Sequence, residues 1–403
     1  MWTVFKQKEL KMNRFIYVDN AATTKLSPKV LEAMQPYFLE EYGNPSSIYA
    51  LGRRSKKAIE DARSEVARLI GAEPKEIFFT SSGTESDNWA IFGTARRLLS
   101  KGKNHIITSA IEHHAVLHAV AALEKEGFEV TILPVSSEGF VDPEDVKNAI
   151  TDKTALVTIM YANNEIGTVQ PIKEIADICR EKKVYFHTDA VQAATHIPID
   201  VKELGVDMLS MSAHKFHGPK GIGIFYKRKG AVINQLMYGG GQENGKRPAT
   251  ENTAFIVGAA EALKEGCEGL EKREEKLGVL RDRLWEGLKS IPKCRLNGSL
   301  DNRLKGNLNV SFEGVEGEAI LLMLDNKGIA ASSGSACTSG DLDPSHVLLA
   351  IGLKHEVAHG SVRYSLSEDI TEEDIDYIIE ATKEVIARLR EMSPVWEKIK
   401  NEI

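Results

Sequence analysis

The segment SSGSACTSG, residues 332–340, surrounds Cys337 with small residues that offer little side chain for packing. A thiol in such a segment is not held in a core, so it stays open to react. The other cysteines, Cys179, Cys267 and Cys294, form no CxxC pair and no regular spacing. We expect these three to be ordinary thiols, and neither a disulfide framework nor a structural zinc site is predicted.

A lysine in SAHKFHGPKGIG, residues 212–223, is the second chemical candidate. Lys215 stands beside Ser212 and His214, which can bind an anion, and before a Gly-Pro-Lys-Gly turn. Burial or nearby positive charge lowers the pKa of a lysine amine and makes it a nucleophile for a carbonyl group. A zinc hydrolase could use His214 and His217 instead, but no carboxylate-bearing metal motif accompanies them, so no metal site is predicted.

More polar residues come directly after apolar, strand-like runs. Glycine and threonine at the start of a helix can hold a phosphate through backbone N–H groups and the helix dipole. An aspartate at the end of an apolar strand could bind a metal, a ribose or a protonated ring nitrogen, and alone it does not decide among them. The residues in such positions are Gly83, Thr84, His113, Asn164, Asp189 and Gln192.

The elements that position these residues alternate between β-branched runs and amphipathic helical segments. This alternation predicts an α/β fold, in which ligands bind at the carboxyl ends of the strands. The seven predicted strands span residues 76–80, 105–109, 129–135, 155–161, 184–189, 207–212 and 221–228.

After about residue 255 the pattern changes to long charged helices around two strand-like runs, 306–314 and 360–367, which predicts a smaller α+β domain. We therefore divide the chain into a candidate disordered extension (1–14), a segment associated with the small domain (15–26), a large cofactor-binding domain (27–262) and a small C-terminal domain (263–403) that carries the Cys337 loop (332–342).

Composition excludes several classes of partner. The net charge is -7 and the sequence pI is about 6.0, with basic residues scattered among carboxylates, so no nucleic acid binding is predicted. No apolar run approaches the roughly 20 residues of a membrane span, and the N-terminal residues lack a signal-peptide pattern. We expect a soluble, cytoplasmic protein.

A nucleophilic lysine, a carboxylate, an imidazole and a phosphate site together fit pyridoxal 5'-phosphate. From about Phe15 to Ile403 the sequence resembles the cysteine desulfurases of the iron–sulfur-assembly type, within the class V aminotransferase group of fold-type I pyridoxal phosphate enzymes. The motifs that carry the resemblance are YVDNAATT (17–24), GNPSS (43–47), TSSGTESDN (80–88), EHHAV (112–116), NNEIG (163–167), HTDAVQ (187–192), SAHKFHGPKG (212–221), RPATEN (247–252), SSGSACTSG (332–340) and SVRYS (361–365).

The resemblance implies a large domain with a mainly parallel seven-stranded sheet, and it implies a role for each candidate. Lys215 would carry the cofactor covalently, Asp189 would pair with its pyridine nitrogen, and His113 would stack on its ring and act as acid or base. The remaining cofactor contacts would come from Gly83, Thr84, Ser212 and His214 at the phosphate and from Gln192 and Asn164 near the ring hydroxyl.

The resemblance also implies how substrate and partners bind. Arg363 would clamp the substrate carboxylate, with Asn164 nearby. Thr250 would reach the phosphate of the neighbouring subunit, which implies a homodimer with active sites at the interface. The family commonly has glycine before that threonine, where this chain has Ala249.

The implied reaction converts L-cysteine to L-alanine and leaves the sulfur on Cys337 as a persulfide. An iron–sulfur scaffold or another sulfur-acceptor protein, for cluster assembly or thiolation, would then collect the sulfur. The alternatives are a selenocysteine lyase, another class V aminotransferase-like enzyme, or an inactive sulfur-relay scaffold.

Overall fold

The computed structural model describes residues 14–333 and 344–400, so most of the predicted extension (1–14) lies outside the described residues. The strands are β1 (Ile16–Tyr17), β2 (Ile77–Thr80), β3 (His105–Ser109), β4 (Glu129–Leu133), β5 (Thr154–Thr158), β6 (Tyr185–Asp189), β7 (Met208–Ser212), β8 (Gly223–Lys227), β9 (Cys294–Leu296), β10 (Asn307–Phe312), β11 (Ile329–Ala330) and β12 (Ser361–Ser365).

Seven of these strands form one sheet in the order β2-β8-β7-β6-β5-β3-β4. The pairings β7–β6, β6–β5, β5–β3 and β3–β4 are parallel, whereas β8 is antiparallel to both of its neighbours. The predicted α/β fold with a mainly parallel seven-stranded sheet is confirmed, and each strand lies within a few residues of its predicted position.

Both faces of this sheet are buried at central strands such as β5 and β7, as expected when helices cover a largely parallel sheet, whereas the edge strand β4 is mostly exposed or half-buried. Successive strand residues point to opposite faces. On β2, Ile77 and Phe79 therefore join one hydrophobic cluster and Phe78 joins the other. Because residues on both faces are buried, such strands are almost continuously apolar in the sequence.

The helices are α1 (Pro28–Met34), α2 (Pro36–Leu39), α3 (Ala50–Leu69), α4 (Gly83–Leu98), α5 (His114–Lys125), α6 (Pro143–Ala149), α7 (Ile172–Glu181), α8 (Val201–Leu204), α9 (Gln242–Gly245), α10 (Thr253–Cys267), α11 (Leu270–Leu288), α12 (Gly317–Asp325), α13 (His346–Ala350), α14 (His355–His359), α15 (Glu372–Glu391) and α16 (Pro394–Ile399). Helix α7 illustrates the helical period, because Ile172, Ile175, Ala176 and Cys179 form its buried face. Cys179 is thus a core thiol, and burial raises its pKa.

A three-stranded antiparallel sheet, β12-β10-β9, has its own hydrophobic cluster with α11, α12 and α15. Helix α15 begins at a capping box, in which Thr371 and Asp374 satisfy each other's backbone N–H groups. The chain near the N-terminus joins this part of the molecule, because β1 pairs with β11 and Asp19 forms a bridge with Ser365. Strand β9 was not predicted, and Cys294, which was expected to be an ordinary thiol, is its first residue.

The predicted domain limits stay a prediction. Across residues 14–333 and 344–400, no helix combines the length and apolarity needed to cross a membrane.

Candidate active site

A cavity of about 500 Å³ lies at the carboxyl ends of the main sheet's parallel strands. Its walls include the residues that the sequence predicted for cofactor and substrate, although these lie far apart along the chain. Those residues are Gly83, Thr84, His113, Asn164, Asp189, Gln192, Ser212, His214, Lys215 and Arg363. The strand ends therefore bring the predicted lysine, carboxylate and imidazole together, and Arg363 joins them from the three-stranded sheet.

Lys215 directly follows β7 in a short 3-10 turn, Ala213–Lys215. Its Nζ donates to the carbonyl oxygens of Ala21 and Ala22, at 2.7 and 2.8 Å. Gln192 Nε2 donates to the same Ala21 oxygen at 2.9 Å. The N-terminal DNAATT segment thus holds the lysine ammonium at the cavity wall.

Asp189 is the last residue of β6 and is buried. Burial raises its pKa to about 6, while the Val191 N–H at 2.9 Å and the Lys215 ammonium favour the charged form. A carboxylate in such a dry site pairs strongly with a cation, because low dielectric strengthens the attraction. Asp189 can therefore hold a proton on a ring nitrogen placed beside it.

Two further buried acids surround this carboxylate. Asp87 lies in the first turns of α4, and among the described residues its Oδ1 has no hydrogen-bond partner. Burial and the Asp189 charge raise the pKa of Asp87. Burial also raises the pKa of Glu112 to about 8, although Ser109 Oγ donates to its carboxylate at 2.5 Å. Burial thus favours the protonated form of both of these neighbouring carboxyl groups.

His113 caps the N-terminus of α5, where the Ala115 N–H donates to its Nδ1 at 3.1 Å. A neutral ring held in this way carries its proton on Nε2. Burial, the Lys215 charge and nearby histidines lower its pKa to about 4. His113 is therefore neutral at pH 7 and can accept a proton.

The N-terminus of α4 supplies an anion site. Ser82 Oγ accepts the Glu85 N–H at 3.1 Å, and Gly83 and Thr84 occupy the first helical positions, whose amides have no acceptor within the helix. An added Cβ at Gly83 would lie 2.7 Å from Val191 Cγ2. Only glycine fits here without a shift of the Val191 side chain.

Arg363, on β12, also lines the cavity and is almost fully buried. Its Nη2 donates to Asp19 Oδ1 at 2.7 Å and its Nη1 to the Asn164 carbonyl at 3.1 Å. Its Nε finds no partner in the described part of the chain. The guanidinium therefore keeps N–H donors that a carboxylate in the cavity could accept.

Two predicted residues are not among the cavity walls. Thr250 is solvent-exposed and outside the cavity of its own chain. Its neighbour Ala249 has φ 107°, a backbone conformation that favours glycine. Cys337 and most of the predicted loop 332–342 lie outside the described residues.

Sequence reasoning missed several residues of the cavity wall, among them Asp87, Glu165, Ser345 and His346. Asp87 could have been found, because it follows Gly83 by one helical turn and so shares its face. Glu165 lies in the NNEIG motif, but no role was predicted for it. Ser345 and His346 carry no local signal, since their position depends on contacts between distant parts of the chain.

Comparison with known proteins agrees with this geometry. The sequence model of the family "Aminotransferase class-V" matches residues 16–378. A "Cysteine desulfurase IscS" of Clostridium botulinum is 57% identical over 389 residues, which cover 96% of this chain and 98% of the relative.

Two solved structures are also similar. A "NifS-like protein" has a TM-score of 0.88 and 40% identity, covering 93% of this chain and 100% of that one. The structure of "SspA in complex with cysteine" has a TM-score of 0.79 and 38% identity, covering 88% and 99%.

The chain therefore belongs to the class-V aminotransferase family, whose members depend on pyridoxal phosphate. Within that family, the predicted resemblance to the cysteine desulfurases is confirmed by the near full-length matches to proteins of that name.

Proposed function

We propose that this protein is a pyridoxal phosphate-dependent cysteine desulfurase, which converts L-cysteine to L-alanine and passes the sulfur on through Cys337. The observation that carries the proposal is a single cavity whose wall contains Lys215, Asp189 and Arg363. The near full-length similarity to cysteine desulfurases supports the same reaction.

The residues of the cavity fit the cofactor. Asp189 matches a protonated pyridine nitrogen, and His113 would lie against the ring. The first-turn backbone N–H groups of Gly83 and Thr84, together with Ser212 and His214, suit a phosphate. When bound, the cofactor supplies an electron sink that loosens the bonds at the α and β carbons of an amino acid.

Lys215 would both hold the cofactor and move the substrate proton. The carbonyl oxygens of Ala21 and Ala22 hold its Nζ as a hydrogen-bond donor at the cavity wall. Once the substrate has displaced the amine, Lys215 can take the proton from the substrate Cα. His113, which is neutral at pH 7, can accept or return a proton nearby.

Arg363 would bind the substrate carboxylate through the N–H groups that Asp19 and the Asn164 carbonyl leave available. The planar guanidinium can bind both carboxylate oxygens together. This contact fixes the substrate so that its amino group points toward the Lys215 end, and Asn164 borders the same space.

Cys337 would take the sulfur. Its thiolate attacks the substrate sulfur, an S–S bond forms and the substrate Cβ–S bond breaks. The electron pair stays with Cβ, which gains a proton, so cysteine becomes alanine and Cys337 becomes a persulfide. Cys337 follows Ser333 by four residues, a tether of at most about 14 Å, and Ser332 forms a β-bridge with Arg363 at the cavity.

Partners and location belong to the same proposal. An exposed Thr250 fits a contact with a neighbouring subunit, and the exposed Ile48, Tyr49 and Tyr238 offer apolar surface that a second copy would cover. The sulfur acceptor would be a scaffold or another acceptor protein, and the bacterial relatives favour the cytoplasm.

The test is to incubate the purified holoenzyme with L-cysteine, with and without a reductant, and to measure alanine, sulfide and the mass of the Cys337 peptide. Without reductant, we expect the amount of alanine to equal the amount of sulfur bound to Cys337. With reductant, we expect sulfide to be released over many turnovers. Cys337→Ser should keep the visible absorption of the cofactor and lose sulfide release. Sulfide release by that variant would contradict the role of Cys337. Turnover of selenocysteine but not of cysteine would indicate a selenocysteine lyase. A colourless protein would indicate an inactive scaffold.

A further inference from the structure

The chain downstream of Cys337 returns to the cavity at Pro344 and packs on loops of the main sheet. Its apolar residues Val347, Leu348 and Ile351 form one buried cluster with Ile111 and with Met160 and Ile166. Ile111 follows β3, and the other two follow β5. Helix α13 therefore packs against loops of the sheet that carries Lys215.

Two polar contacts reinforce this attachment. The Ser345 hydroxyl donates to the Glu165 carboxylate in a short hydrogen bond. His346 Nε2 lies 3.0 Å from the Glu112 carbonyl oxygen, which can only accept, so Nε2 carries the proton. His346 Nδ1 is then the acceptor for His114 Nε2 at 3.4 Å.

Glu165, which accepts the Ser345 hydroxyl, is itself held by several hydrogen bonds. Its side chain is 4% exposed, and its N–H donates to Asn163 Oδ1 at 2.8 Å. Its carbonyl oxygen accepts from Asn307 Nδ2 and Asn309 Nδ2, both on β10, at 3.2 and 3.1 Å. The backbone of Glu165 is thus held where the two sheets meet, and its buried side chain starts from that fixed point.

The electrostatic setting strengthens this contact. Burial raises the pKa of Glu165 to about 7, whereas the Ser345 hydrogen bond and the Arg363 charge favour the ionised form. A hydrogen bond to a buried carboxylate is stronger than one between neutral groups, and its loss leaves a buried charge less satisfied.

We propose that Glu165 is a positioning residue for sulfur transfer, which acts through Ser345 to hold the chain that follows Cys337 against the wall of the active-site cavity. The inference rests on the proposed function, in which Cys337 takes the sulfur. Ser345 has a second role as N-cap of α13, where its Oγ accepts the Leu348 N–H at 3.2 Å. The experiment must therefore separate the contact with Glu165 from the cap.

The variants are Glu165→Leu, Ser345→Ala and their combination, with Glu165→Gln and Ser345→Thr as conservative replacements that keep an acceptor and a hydroxyl. Ser393→Ala is the matched control, because Ser393 caps α16 with the same 3.2 Å contact to Trp396 N. Each holoenzyme is mixed with one equivalent of L-cysteine. The change in cofactor absorbance and the persulfide on Cys337 are followed in time, and amide exchange over residues 345–353 is measured by mass spectrometry.

We expect each single variant to slow persulfide formation about tenfold, which corresponds to about 1.4 kcal/mol. The absorbance change on cysteine binding should stay within about twofold of the unmodified protein, and the double variant should be no slower than Ser345→Ala alone. Glu165→Gln and Ser345→Thr should recover most of the rate. Glu165→Leu should speed amide exchange in α13 although the N-cap is intact, and Ser393→Ala should change neither rate.

Additive losses in the double variant would overturn the inference, as would an equal slowing of the absorbance change and the persulfide step. Unchanged exchange in α13 of Glu165→Leu would overturn it as well. Failure of the unmodified holoenzyme to form alanine and persulfide would instead contradict the proposed function.

Discussion

The two ends of the cavity are assembled in different ways. At the Lys215 end, Gly83, Asp189 and Lys215 each lie directly at or after the carboxyl end of a strand in one sheet. At the Arg363 end, the arginine comes from the three-stranded sheet and its partner Asp19 from the chain after β1. The Lys215 end is built mainly on one sheet, with Ala21 and Ala22 of the N-terminal segment accepting hydrogen bonds from Lys215. The Arg363 end exists only when two parts of the molecule meet.

We expect this difference to separate the residues that would hold the cofactor from the residues that would bind the substrate. The Lys215 end is fixed by strand register and by short backbone contacts, such as the Val191 N–H to Asp189. The Arg363 end is fixed by side chains that span the two sheets, including Asn309 Nδ2 to the Glu165 carbonyl. We therefore expect changes at the Arg363 end to alter substrate affinity while cofactor binding is preserved.

The largest expected effect follows replacement of Arg363. Arg363→Ala should raise the KM for L-cysteine by about a hundredfold, because the loss of charged hydrogen bonds to a carboxylate is worth about 2–3 kcal/mol. The affinity for pyridoxal phosphate, titrated by absorbance, should stay within about twofold.

Arg295→Ala is the matched control, because Arg295 lies on β9 of the same sheet and is exposed. It should alter neither constant. Equal losses of cofactor and substrate affinity in Arg363→Ala would show that the two ends of the cavity are not separable.

A smaller effect is expected at the other end. Gly83→Ala would place a Cβ 2.7 Å from Val191 Cγ2 and 3.3 Å from Ser212 Cβ, so the phosphate site must shift. We expect the affinity for pyridoxal phosphate to fall about tenfold, or about 1.4 kcal/mol, with the KM for cysteine in the fully loaded enzyme little changed. Equilibrium dialysis of the cofactor-free protein measures the first quantity.

Gly278→Ala provides the control, since Gly278 is also helical and an added Cβ there meets only the Lys305 side chain, at 3.6 Å. That change should leave cofactor affinity unaltered and raise stability by about 0.5–1 kcal/mol, because alanine is the better helix former. If both variants lose cofactor affinity, the loss is not specific to the position of Gly83.

The same comparison explains what the sequence could predict. Lys215 and Asp189 were found because polar residues directly after apolar strands must meet at one sheet edge. The strand order was not predictable, since β3 lies between β5 and β4 through contacts that no local pattern encodes. The pairs Arg363–Asp19 and Glu165–Ser345 were missed for the same reason, because each joins residues more than 170 positions apart.

The smallest expected effect concerns Ala249, in the segment that carries Thr250 and lies outside both ends of the cavity. A non-glycine residue with φ 107° carries strain of about 1–3 kcal/mol. Glycine would relieve it but adds about 0.4–1 kcal/mol of freedom to the unfolded chain. Ala249→Gly should therefore raise the free energy of unfolding of the cofactor-free protein by about 1 kcal/mol in urea titrations. Ala58→Gly, inside α3, should lower it by about 0.5–1 kcal/mol. If both variants lose stability alike, the backbone at Ala249 is not strained.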